Sequence, residues 1–253
     1  MKSNQSSLFN TSISLDSDVF SLKYGISAKK VTRFLLCVIG ILVILSVVTQ
    51  AAVYVLPNFP LRYFIARKLS VNGEQSIPAL YSSLTLFFCS VLFWIIAQYK
   101  QKLKDRYTRS WKALSVIFTY LALDELLSFH EYLSEPLKKL GVDGVLHYAW
   151  VIPGMIGVGI FCVIFYRFFQ HLPRYMKRLI LLAICTFVGG AIFVEVLGGY
   201  YRFLYGKENL GYFLIATVEE LMEMVGVVFL IHALLLYIQQ MGMNSFNLKF
   251  NRD

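Results

Sequence analysis

Charge is scarce in this chain: only 15% of its 253 residues are Asp, Glu, Lys or Arg, against 57% that are hydrophobic. A water-soluble domain of that composition would carry more apolar surface than one core can hide, so the bilayer is expected to be the solvent for much of it. Histidine is sparse too, four in all. No H-x-x-x-H or H-E-x-x-H pair occurs, which counts against a zinc hydrolase centre. The Glu-x-x-His pair repeated in ferritin-like di-iron bundles is missing as well. The four cysteines (Cys37, Cys89, Cys162, Cys185) show no C-x-x-C spacing and fall inside apolar runs, so they read as small packing residues. No second soluble domain, low-complexity tract or inverted-repeat symmetry is visible. The net charge of +9 does not point to nucleic acid, because the basic residues sit in short clusters between apolar runs.

What is present is a series of long apolar runs and a mean hydropathy of +0.61. About 20 apolar residues cross the roughly 30 Å hydrocarbon core as a helix. Six runs qualify: Phe34 to Leu56, Pro78 to Tyr99, Trp111 to Glu131, Val145 to Phe169, Arg178 to Tyr201, and Gly211 to Gln239. Seventeen of the 24 Lys and Arg fall in the N-terminal segment, the second and fourth connections and the C-terminal tail. The positive-inside rule then places both termini in the cytoplasm. The expected fold is an all-α polytopic membrane bundle of six transmembrane helices. Its parts are a polar segment over 1–33, a membrane domain over 34–240 and a tail over 241–253. The first apolar run is longer than a secretory h-region and reads as an uncleaved anchor.

The acidic residues carry the functional signal. Asp124, Glu125 and Glu131 fall in the third span, Glu195 in the fifth, and Glu219, Glu220 and Glu223 in the sixth, together seven of the fifteen acids. An ionised side chain at mid-bilayer costs about 2.5–3.5 kcal/mol on insertion scales, so such residues are functional candidates by default. No Lys or Arg lies between residues 113 and 137, 179 and 201, or 208 and 247. Compensation must therefore come from protons, bound cations or side chains reaching in from loops. With the inferred topology all seven acids lie in the outer half of the membrane, on the same side as Glu74 and as His147 with Trp150.

Helical spacing groups them further. Asp124, Ser128 and Glu131 share an arc of about 60°, with Glu125 beside it, and Glu219, Glu223 and Gly226 form a second stripe next to Glu220. Ala191, Gly198 and Gly199 share the Glu195 side, where small residues let neighbouring backbones approach. His130 joins Asp124 only if the helix ends or bends before Pro136. The bland alternatives are a solvated helix end at 124–131, a lone protonated Glu195, and exposed first turns at 219–223. His232 reads as an interhelical hydrogen-bonding residue.

Oxygen-rich clusters with one or two imidazoles suit Mg, Ca, Mn or non-haem Fe. The expected cofactor is thus a divalent metal cation held by Asp124, His130, Glu131, Glu195, Glu219 and Glu223, with Glu74 and His147 as further candidates. Glu125 and Glu220 are the candidate general bases. The segments NGEQSIPALYSS (72–83), LDELLSFHE (123–131), GGAIFVE (189–195) and VEELMEM (218–224) together resemble a family of uncharacterised bacterial multi-pass membrane proteins. The resemblance spans roughly residues 60–240 and implies no activity; it implies residence in the bacterial cytoplasmic (inner) membrane. The chain departs from ceramidase-like seven-helix hydrolases in helix number and in lacking their terminal His pair. Three functions are compatible with these residues: a membrane-embedded metal-dependent enzyme acting on a lipid-soluble substrate, a cation or proton transporter, and a non-catalytic accessory subunit.

Overall fold

The computed structural model describes residues 9–16, 19–55, 61–73, 75–130, 132, 144–206, 209–241 and 246–250. Side chains are described for the same residues except 9–26, 54–55, 62, 145 and 246–250. From residue 28 to residue 240 the described body is all-α. The helices described from end to end are α1 (Ala28–Val55), α2 (Arg62–Leu69), α3 (Ile77–Lys102), α4 (Thr108–Leu127), α5 (Val151–His171), α6 (Arg174–Val188), α7 (Glu195–Tyr205) and α8 (Leu210–Gln240), and residues 129, 130 and 132 are helical as well. A π-helical segment, Gly189–Val194, joins α6 to α7 without a break. Five of these stretches are long and apolar enough to cross a membrane: 28–53, 77–102, 151–171, 174–205 and 210–240.

The sixth expected span, α4, has the length but carries Arg109, Lys112, Asp124 and Glu125 within its 20 residues, and these charges lower its hydropathy. It runs antiparallel along α3. Ser83 donates to the Ala122 carbonyl near one end of the pair (2.7 Å); further along, Ser90 donates to the Ser115 carbonyl (2.7 Å) and its hydroxyl lies 2.8 Å from that of Thr119. Phe93 then packs on Phe118 and Trp111 at the other end.

Helix starts follow the local sequence. The Ser76 hydroxyl accepts from the Ala79 N–H, with a proline in the first turn of α3, and the Asn209 side chain accepts from the Tyr212 N–H at the start of α8. Both satisfy backbone donors that the first turn leaves unpaired. Several ends differ from the apolar runs. The third run was expected to continue to Glu131, but α4 stops at Leu127 because Ser128 turns left-handed at φ 53°. The fourth begins at Val151 and not at Val145, after a 3₁₀ turn over Gly144–Leu146.

Helix α8 is the axis of the bundle. Of its most apolar stretch 61% is buried, against 17% for α1 and for α5. Val228, Ile231 and Leu234 are fully enclosed. In lipid, helices associate through close packing and interhelical hydrogen bonds more than through hydrophobic transfer, and both occur here. A Cβ on Gly226 would lie 2.7 Å from the Phe187 backbone nitrogen, so glycine permits the α6–α8 approach. His232 Nδ1 meets Thr32 Oγ1 at 2.8 Å and ties α8 to α1; this is the interhelical role expected of it.

On either side of the helical body the backbone forms a three-stranded antiparallel sheet in the order β1 (Phe9–Asp16), β2 (Val19–Ile26), β3 (Phe246–Phe250). Ile13 is registered with Leu22, and Leu22 with Leu248. The two ends of the chain are therefore side by side.

Candidate functional site

The acidic residues of α4 sit in its last turn, where the left-handed Ser128 redirects the chain. The Ser128 N–H donates to the Asp124 carbonyl, and the following residues fold back over the helix end. As a result the His130 backbone N–H donates to Asp124 Oδ1 (3.0 Å) and the His130 ring Nδ1 pairs with Asp124 Oδ2 (2.9 Å). An ionised carboxylate only accepts, so Nδ1 carries the hydrogen. The condition set by the sequence, a helix end before Pro136, is met eight residues earlier than that proline.

His130 leads on to the next element. Its ring lies 4.8 Å from the Trp150 ring, and the Trp150 indole N–H points at Glu195 Oε1 at 3.4 Å. Glu195 opens α7 directly after the π segment, whose extra residue per turn resets which side of the helix it faces. Opposite it on α8, the Glu219 carboxyl faces the Glu195 carboxyl and lies within electrostatic range of Glu220 and Glu223. Glu125 of α4 lies within electrostatic range of Glu220 and Glu223, as does Glu195. Five glutamates from α4, α7 and α8 thus form one group, each half-buried.

Glycine makes this possible. A Cβ on Gly190 would stand 2.8 Å from the Glu219 carbonyl and 3.2 Å from Glu223 Cγ, and one on Gly198 would stand 3.7 Å from Glu219 Oε2. The π segment therefore lies almost backbone-to-backbone on the acidic stretch of α8, with α7 packed on the side chains beside it. That stretch is not an exposed first turn. Glu219 is nine residues into α8, about 14 Å along the helix axis.

The cations are placed elsewhere. Among the described residues the ion pairs are Lys100–Asp105 and His130–Asp124. Arg202 lies seven residues beyond Glu195, about 10 Å further along α7. Its guanidinium donates to the Tyr148 hydroxyl (2.6 Å), which is 2.7 Å from the Tyr212 hydroxyl. Burial first, and then the Tyr212 hydroxyl, push the Tyr148 phenol above its ordinary value. This Arg–Tyr–Tyr group forms a separate polar layer at the end of the bundle next to the glutamates. His147 belongs to that layer, packed on Tyr148 and Phe203.

Residues 35–238 match the family described as a domain of unknown function, DUF8692. The chain belongs to that family. The DUF8692 match runs from early in α1 nearly to the end of α8, and it contains every one of the acids named above. No curated protein and no solved structure matches the chain.

The expected ligand set is brought together only in part. Asp124 with His130 forms one half and Glu195 with Glu219 the other, joined through Trp150, while Glu125, Glu220 and Glu223 surround the second half. Among the described residues no group of three or more His, Cys, Asp or Glu side chains is arranged to hold an ion as it stands. Glu74 and Glu131 lie outside the described residues. The Asp124–Ser128–Glu131 stripe is interrupted, because Ser128 caps the helix. Sequence reasoning placed Trp150 on the right side without giving it a role and passed over Tyr148, Tyr212 and Arg202. Their signal was the aromatic density flanking a lone arginine. On the lipid side of the same seam, Val194, Leu197, Leu214, Ile215 and Val218 line an open apolar groove of about 310 Å³.

Proposed function

We propose that this is a six-span protein of the bacterial cytoplasmic membrane, with both termini in the cytoplasm, whose outer-half carboxylate cluster binds a divalent metal cation and serves a metal-dependent reaction on a lipid-like substrate. Six spans are supported by the antiparallel α3–α4 pair, since a helix lying along a crossing helix over its length spans the same depth. An even count is supported by the pairing of β2 with β3, and the orientation by the basic bias.

The observation that carries the functional reading is the convergence of Glu125, Glu195, Glu219, Glu220 and Glu223 from stretches, 113–137, 179–201 and 208–247, that hold no Lys or Arg to offset them. Like charges at this range in lipid require something positive among them. Asp124, His130, Glu131, Glu195, Glu219 and Glu223 are the proposed ligands, and Mn, Fe, Mg or Ca the ions that oxygen donors favour. Glu125 or Glu220 would act as general base, and the bound ion would make a water molecule acidic enough to attack at neutral pH. The apolar groove between α7 and α8 supports an amphiphilic substrate.

Elemental analysis of the detergent-purified protein beside a Glu195→Gln/Glu223→Gln variant tests this. Stoichiometric metal in the parent and none in the variant is expected; a metal-free parent overturns the reading. A second function is favoured by one observation: the Glu195 and Glu219 carboxyl groups face each other, and a proton between them would relieve their repulsion as a cation would. On that reading the cluster handles protons, and proton flux into proteoliposomes, abolished by Glu219→Gln, would identify a transporter.

A further inference from the structure

At the opposite end of the bundle two basic turns are joined into one surface. The stretches 100–112 and 167–178 contain ten Lys and Arg and a single acid, Asp105. That acid is already occupied: Oδ2 pairs with Lys100 Nζ at 3.1 Å, and Oδ1 accepts the Tyr107 N–H at 2.8 Å. Partial burial would raise the Asp105 carboxyl, but the Tyr107 N–H and Lys100 outweigh it and hold it below the ordinary range, so it stays ionised and paired.

Tyr107 clamps the two turns together. Its hydroxyl donates to the Arg167 carbonyl and accepts from the Arg106 guanidinium, and its ring packs on Phe168 and His171. Beneath it Trp111, 2% exposed, stacks on Tyr237 and meets Phe168 edge-on. Arg106, Arg167 and Arg174 are left exposed around this hub, next to Leu103 (60% exposed) and Tyr166 (61%). An array of guanidiniums beside exposed apolar and aromatic groups, at the end of membrane helices, matches a molecule with an anionic head and apolar tails.

We infer that the α3–α4 and α5–α6 turns together form a seat for an anionic phospholipid of the leaflet they border, with Arg106 and Arg167 on the phosphate. The surface is independent of the carboxylate cluster and does not rely on its function. The test is native mass spectrometry of the protein released from mixed phosphatidylglycerol and phosphatidylcholine, comparing the parent, Arg106→Gln/Arg167→Gln, and Lys29→Gln/Arg33→Gln at the start of α1. The parent is expected to retain phosphatidylglycerol in preference, the turn variant about tenfold less of it, and the α1 variant as much as the parent. Equal retention of the two lipids by the parent, or equal loss in both variants, overturns the inference. Should the turn variant fail to fold, the parent's melting temperature decides: phosphatidylglycerol must raise it above its value in phosphatidylcholine, and high salt must remove the gain. No gain contradicts the seat.

Discussion

At Asp124 one carboxylate accepts both a backbone N–H and a ring N–H from His130, whereas at Glu219 a carboxyl faces another carboxyl. Neutral replacements at the two positions should therefore act with opposite sign. Asp124→Asn turns an amide N–H toward a donor and should lower stability by about 1–2 kcal/mol, read as a lower melting temperature in detergent. Glu219→Gln removes one of several like charges, so under chelating conditions it should leave the protein at least as stable as the parent. Asp105 gives a pH dependence. Its folded carboxyl is held below the ordinary value, so its contribution is complete above the unfolded value and is lost as pH falls through the folded one. With both partners 17% exposed, Asp105→Asn should cost about 1 kcal/mol at neutral pH and nothing once the parent carboxyl is protonated. Acid titration of the two melting curves checks this.

Between elements, the close approaches at glycine decide the packing. Gly226→Ala brings a methyl to 2.7 Å from the Phe187 backbone, where no rotamer change relieves it, and should destabilise by about 1–3 kcal/mol. Gly157→Ala in α5 meets nothing within 4 Å and should be neutral or slightly stabilising through helix propensity. Comparing their melting temperatures separates tight α6–α8 packing from general intolerance of glycine replacement. The long helices were legible from apolar runs and their basic flanks, because hydrophobic length is what the bilayer selects. The end of α4 was not. The run Leu126-Leu127-Ser128-Phe129 holds neither glycine nor proline, and the left-handed Ser128 lets His130 reach both Asp124 oxygens, a local side-chain contact that hydrophobic periodicity does not register. The π segment over Gly189–Val194 was equally hidden. Its Gly189-Gly190 pair hints at a close approach, but the extra residue per turn follows from packing against Glu219 and Glu223, which lie some thirty positions away.

For the whole molecule, the sequence placed the acids at one level of the membrane without showing which of them touch. Helical spacing alone could not orient Glu195, because the π segment resets its face, and could not bring in His130, because α4 ends early. Reporter fusions at the two termini should both read cytoplasmic; opposite readings would mean an odd number of spans and would put α4 outside the membrane. On the proposed function, the carboxyl groups of α4, α7 and α8 form one anionic site that a bound cation neutralises. The most direct measurement is the melting temperature of the parent and of Glu195→Gln/Glu219→Gln, each in chelator and then with added manganese. The parent should gain several degrees with manganese, consistent with about 2–3 kcal/mol of linkage when the ion is well above its dissociation constant, and the variant should gain nothing. An equal gain in both proteins, or none in the parent, would contradict the account.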